Sequence, residues 1–129
     1  MAIPKKVRDL VLERDDWSCV LGLPGCQKRA QYCDHRANRG MGGSKALDVP
    51  SNLVATCGPC NGRKEDAHGG YRVELVHRGL RLRNGAWPAD TIELAERTPV
   101  GYPDGSWWLL DRAGGRSLVE SAPNVDEHE

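Results

Sequence analysis

The residues able to do chemistry are concentrated in the first half of the chain: Cys19, Cys26, Asp34-His35, Asn52, Cys57-Gly-Pro-Cys60 and Asn61. Cys19-x6-Cys26 and Cys57-x2-Cys60 form two loops that can meet at one ion across an intervening segment of 30 residues. Zinc prefers four thiolates at tetrahedral angles, and a closed four-cysteine set leaves no position for substrate, so this ion is expected to be structural. Such a staple joins elements that hydrophobic burial alone does not hold. The fifth thiol, Cys33, reads as a small buried side chain, with service as a zinc ligand in place of Cys26 as the alternative. Asp34, His35 and Asn61 remain for a second, open metal site. A closed ion beside an open one suggests hydrolysis rather than binding alone.

These residues need elements to position them. Pro4 to Asp15 reads as a short amphipathic helix, with Val7, Leu10, Val11 and Arg14 at helical spacing, covering one side of a metal-centred core. Ala30 to Arg36 is a candidate strand, and neighbours on a strand project to opposite sides, so Asp34 and His35 would serve different partners. A helix from Pro59 to about Ala67 begins inside the second cysteine pair. Asn61 follows Cys60 by about 100° round that helix, which turns it away from the zinc and toward the strand of Asp34. Gly40, Gly42 and Gly43 mark a loop, and Arg39 to Lys45 lacks the glycine and lysine spacing of a P-loop. Asp48 to Asn52 carries turn residues.

His68-Gly-Gly70 is the best boundary. Beyond it, Arg72–Val76 and Leu80–Arg83 alternate like two short strands. Asp90 to Arg97 reads as a helix and Trp107–Asp111 as a strand. Trp107-Trp108 is expected to anchor this segment apolarly, with stacking on bases as the alternative. Ser117 to Glu129 holds four acids and no Lys or Arg, which predicts disorder. The expected class is α+β, divided as 1–68, a mixed extension over 69–116 and an acidic tail over 117–129.

Composition agrees with a stapled domain. The chain has 129 residues, 39% hydrophobic, with no Phe, 15 Gly and 8 Pro, so its apolar core is thin. No N-terminal apolar run or membrane-length segment occurs, so the cysteines read as metal ligands in a cytoplasmic protein rather than as disulfides. Net charge is zero, yet residues 1–66 carry +3 and 67–129 carry −3. Lys28, Arg29, Arg36, Arg39 and Lys45 face only Asp34 as an acid over 28–45. That patch suits a polyanion, with an ordinary solvated surface as the equal alternative. Arginine outnumbers lysine 13 to 5, and the guanidinium fork matches phosphate oxygens.

Residues 14–66 resemble the HNH nucleases of the ββα-metal (His-Me finger) class, in particular the small zinc-stapled HNH proteins of bacteriophages. The resemblance rests on Arg14-Asp-Asp-Trp-Ser-Cys19, Asp34-His35, Gly42-Gly43, Asn52-Leu53-Val54 and Cys57-x2-Cys60-Asn61-Gly-Arg-Lys64. It implies a ββα core in which His35 is the general base and Asp34 a divalent-metal ligand. Asn61 would be the second ligand, where many members have histidine, and Asn52 would order the loop and hold the backbone of the base.

The chemistry can be argued from the residues as well. Phosphodiester hydrolysis needs an in-line water and charge neutralisation at the phosphoryl and leaving oxygens. Asp34 can hold a metal near the leaving oxygen while His35 reaches the water, since free imidazole is neutral yet basic near pH 7. One carboxylate and one amide oxygen are hard ligands suited to Mg²⁺ or Mn²⁺. Arg36, Arg63 and Lys64 are expected to touch backbone phosphate. Taken singly, His35 could be an ordinary surface histidine, Asn52 a turn residue and Asn61 a cap.

The expected activity is therefore metal-dependent cleavage or nicking of double-stranded DNA, with no membrane and no organic cofactor. The alternatives are a nucleic-acid-binding module that does not cut and, by analogy with phage proteins, an accessory to terminase subunits.

Overall fold

The computed structural model describes residues 3–39, 45–67, 69–120 and 122. The chain is mixed α+β. The first helix, α1 (Lys5–Arg14), leads to β1 (Tyr32–His35), and two 3-10 turns, Lys45–Leu47 and Pro50–Asn52, lead to β2 (Leu53–Thr56). Then come α2 (Gly58–Glu65), α3 (Gly69–His77), α4 (Pro88–Arg97) and three strands: β3 (Val100–Gly101), β4 (Trp107–Leu110) and β5 (Arg116–Val119). β1 and β2 pair antiparallel, with Asp34 opposite Val54 and His35 opposite Leu53. The other sheet has the order β3-β4-β5 and is antiparallel throughout.

Helix α1 packs across both strands of the first sheet. Its buried side is Val11 and Leu12, while Leu10 is 38% exposed, so the stripe is rotated from the expected one. At its end the Arg14 guanidinium grips Asp15 and donates to the carbonyls of Pro50 (2.8 Å) and Leu53 (2.7 Å). Asp15 in turn accepts from the Ala55 amide (3.0 Å) and the Tyr102 hydroxyl (2.5 Å). One buried carboxylate thus joins α1, β2 and the C-terminal sheet.

Residues beyond the expected boundary belong to the same core. Leu12, Val20, Leu21 and Val54 form one buried cluster with Leu75, Leu80, Val100 and Leu110. Two arginines reinforce it. Arg78 donates to the carbonyls of Val20, Leu21 and Gly101 at 2.6–2.9 Å. Arg36 is 1% exposed and donates to the carbonyls of Gly79, Ser51, Ala95 and Thr98 at 2.7–2.8 Å.

Arg36 was expected at phosphate, and its burial corrects that expectation. Every hydrogen bond it makes is to backbone carbonyl within the fold. Burial, and then the charge of Arg14, pushes its guanidinium down to about 9, which leaves it charged at neutral pH. Truncation would leave four buried acceptors without a donor. Arg36→Met is therefore expected to cost about 3 kcal/mol or more in urea unfolding, and a loss within about 0.5 kcal/mol of the parent would contradict this role.

The extension differs from its expected strands. Residues 72–76 lie in α3, because only Leu75 of the alternating pair is buried and Val73 is 51% exposed. Leu80–Arg83 forms no strand, yet its alternation is real: Leu80 and Leu82 are buried, and the Leu82 amide donates to the Arg36 carbonyl at 2.8 Å. Gly79 turns the chain there with φ +71°, and a Cβ would lie 2.1 Å from the Pro99 carbonyl oxygen, so only glycine fits. Ser117 to Val119 pairs with β4, contrary to the expected disorder; most of the tail after Glu120 lies outside the described residues. The Gly40 to Gly43 loop also lies outside them. Trp108 stacks under Arg116 and meets Tyr102 edge-on with centroids 6.5 Å apart, so it serves the apolar anchor. Among the described residues no helix is long and apolar enough to cross a membrane.

Candidate functional site

The four cysteines Cys19, Cys26, Cys57 and Cys60 converge, with all sulfurs within 4.8 Å of one another. A zinc ion with bonds of about 2.3 Å needs sulfurs about 3.8 Å apart at tetrahedral angles, and the Cys26 and Cys57 sulfurs lie 4.0 Å apart. Backbone amides point at the same sulfurs: Leu23 to Cys60 (3.3 Å), Gln27 to Cys57 (3.5 Å) and Lys28 to Cys26 (3.3 Å). Amide donors stabilise the thiolate form that a metal requires. For Cys57 burial acts the other way, but the Gln27 and Cys60 amides and neighbouring thiols bring it down to about 7. The chemistry of this donor set fits zinc. Cys33 stays outside it against the Arg8 carbonyl, and burial first of all pushes its thiol up to about 11, as suits an inert packing thiol.

Asp34 and His35 take opposite sides of β1. Asp34 is buried, and its Oδ2 accepts from the Lys64 ammonium of α2 at 2.5 Å. The same ammonium donates to the His35 carbonyl oxygen. Lys64 is only 3% exposed and is thus committed to this corner, short of the free phosphate contact expected of it. Burial pushes its ammonium down, the Asp34 carboxylate pulls it up, and the Arg81 guanidinium pushes it further down.

The His35 ring meets a partner that the sequence did not single out. Its Nε2 lies 2.7 Å from Asp48 Oδ1, and Arg39 binds both oxygens of Asp48 at 2.9 and 2.6 Å. Asp48 falls thirteen positions from His35, in a run that reads as turn residues, so no local spacing marks it. Asp48 follows the 3-10 turn at Lys45–Leu47, and its carboxylate meets the imidazole there.

Asn52 is fully buried and acts as a clamp. Its Oδ1 accepts from the Ala37 amide (2.9 Å), and its Nδ2 donates to the carbonyls of Ala37 (3.0 Å) and Leu47 (3.1 Å). It fixes the chain two residues past the end of β1 to the turn that precedes Asp48. Asn61 is half-buried, and its side chain makes no hydrogen bond with a described residue. It lies three positions before Lys64 in α2, so the two share a helical face, the one that meets Asp34. Arg63 is exposed, with its guanidinium beside Gly25.

No family model matches the chain, and no solved structure matches it. The gene 4 protein of Mycobacterium phage L5 is 38% identical to it over 73 residues, which are 57% of this chain and 64% of that protein. The match thus spans less than two thirds of the relative's own length.

Proposed function

We propose that this chain is a metal-dependent DNA endonuclease or nickase, with β1, β2 and α2 as an HNH-type ββα core stapled by a zinc ion on its cysteines. The observation that carries the reading is the division of Asp34 and His35 between two sides of one strand, each ring or carboxylate fixed by a buried partner. A carboxylate only accepts, so His35 donates from Nε2 to Asp48 and keeps Nδ1 as the acceptor for a water proton. Arg39 holds Asp48 in place, and Asn52 fixes the turn beneath it.

Asp34 Oδ1, which makes no hydrogen bond with a described residue, and the amide oxygen of Asn61 are the donors for a catalytic metal. Hard oxygen donors suit Mg²⁺ or Mn²⁺. Such an ion, when bound, neutralises charge at the leaving oxygen. Lys64 adds a fixed positive charge on the same side. Double-stranded DNA is the substrate in this reading, and a relative from a phage fits work on phage DNA, with terminase subunits as candidate partners.

The second reading is a zinc-stapled module that binds nucleic acid without cutting it. It is favoured by one observation, that the Lys64 ammonium already neutralises Asp34 as a metal would. Supercoiled plasmid separates the two. With Mg²⁺ or Mn²⁺ the expected result is conversion to relaxed or linear DNA, and none when the divalent ion is omitted. DNA binding without conversion under any of these ions would establish the module and end the nuclease reading. Within the nuclease reading, Asp48→Asn is expected to slow cleavage by about 10–100-fold, as loss of a supporting carboxylate does, with DNA affinity unchanged. An unaltered rate would remove Asp48 from the site.

A further inference from the structure

One concave surface lies beside the Asp34 corner and is not explained by the site itself. It is a cleft of about 340 Å³ lined by Lys64 of α2, Arg72 of α3, Arg81 and Arg83 of the following segment, and the amides Asn38 and Asn84. No carboxylate among the described residues lines it. The fold builds this surface deliberately from two alternations. Arg72 and Val76 lie one turn apart on the same face of α3 while Leu75 is buried, and Arg81 and Arg83 alternate with the buried Leu80 and Leu82. The Asn84 amide donates to the Asn38 carbonyl at 2.8 Å, which fixes the far rim to the end of the strand carrying His35.

Arg14, Arg39 and Arg112 hold carboxylates, and Arg36 and Arg78 hold backbone carbonyls. Arg72, Arg81 and Arg83 make no ion pair or hydrogen bond with a described residue. The side chains of Arg29, Arg63 and Arg97 also make none with a described residue, so what sets the cleft's guanidiniums apart is that they share one concavity. Three unmatched cations crowded into one concavity beside Lys64 repel one another. A ligand carrying several negative charges in a row relieves that repulsion, and a guanidinium fork pairs best with phosphate oxygens.

We propose that the cleft of Arg72, Arg81 and Arg83 is the track for backbone phosphates of a nucleic-acid strand whose neighbouring phosphate lies at Asp34 and His35. The inference rests on the nuclease reading for that direction of travel, but the phosphate track itself stands on the cleft alone. It assigns a role to residues 69–84, which lie outside the segment that resembles HNH nucleases, and it makes the extension part of the substrate surface. Phosphate contacts position without reading bases, so the track predicts affinity without sequence preference.

The test is DNA binding without cleavage. Anisotropy of a labelled duplex is measured over a series of salt concentrations with no Mg²⁺ or Mn²⁺ added. The protein is the full chain carrying R72Q, R81Q and R83Q together, with Arg97→Gln, an exposed cation of α4, as the control. Each phosphate contact contributes about 0.9 to the slope of log affinity against log salt. The triple variant should therefore lose about two to three units of slope and bind at least about tenfold more weakly near 0.1 M salt, while Arg97→Gln binds as the parent does. Circular dichroism should be unchanged, because the three side chains hold nothing in the fold. Single Arg83→Glu, at an exposed position, provides the same reading if the triple variant is unstable.

Unchanged affinity and slope in the variants would overturn the track, as would a parent that binds no DNA. Polyglutamate bound as tightly as DNA would also overturn it, by reducing the cleft to unspecific charge. Loss of binding in the variants together with a parent that never cuts plasmid would uphold the track and remove the nuclease reading, so the two can fail separately.

Discussion

Stripping the metal from the four cysteines is expected to unfold this protein. Purified from zinc-containing medium, it should hold about one zinc per chain, and Cys57→Ser should lose both the ion and the cooperative thermal transition. The magnitude follows from comparing two terms. Structural zinc sites contribute apparent binding free energies of about 10–16 kcal/mol at neutral pH, while a whole domain of this size is stable by only about 5–15 kcal/mol. The cysteines hold the loop after α1 to the start of α2, and Leu12, Val20, Leu21 and Val54 pack around them. Otherwise the loop between Cys19 and Cys26 is held by the buried Val20, Leu21 and Leu23 and by Arg78, in a chain of 39% hydrophobic residues with no Phe. Released thiolates would also leave the Leu23, Gln27 and Lys28 amides without a charged acceptor. A metal-free protein with unchanged circular dichroism and an unchanged melting midpoint would show that the thiols are ordinary core.

The parts of the fold legible in the sequence are those governed by short-range spacing. Two cysteine pairs announce their convergence, helix periodicity marks α1, and the Asp34-His35 dipeptide divides its side chains by simple alternation. What was missed depends on long-range return of the chain. Asp48 meets His35 from thirteen positions along the chain, and nothing at positions 48–52 distinguishes it from a turn former. The basic run over 28–45 misled for the same reason. Arg36 turns inward to four carbonyls and Arg39 binds Asp48, so the concentration of positive charge in sequence is partly spent inside the molecule. A basic concavity forms instead around Arg72, Arg81 and Arg83, in a half whose net charge is −3. Alternation in 72–76 suggested a strand, but a helix can bury Leu75 alone and leave Val73 to solvent. The pairing of 116–119 was hidden because two of its four residues, Ser117 and Leu118, stay exposed and its gain is backbone hydrogen bonding to β4.

His35→Ala is the substitution with the largest expected effect on activity. General-base assistance contributes about 10²–10⁴-fold, and the buried Asp48 beneath the ring, itself held by Arg39, orients this imidazole. The ring is mostly buried, at 17% exposed, but Asp48 keeps both of its bonds from Arg39 when the ring is gone, so the fold of His35→Ala, checked by circular dichroism, and its DNA affinity should stay near those of the parent. The effect should therefore fall on the chemical step alone. The measurement is single-turnover cleavage of supercoiled plasmid at saturating protein, with Mg²⁺ or Mn²⁺, for the parent and His35→Ala side by side. The expected result is metal-dependent cutting by the parent and a rate lower by at least about a hundredfold in the variant, with both binding DNA equally. A variant that cuts as fast as the parent would contradict the assignment of His35 as the base.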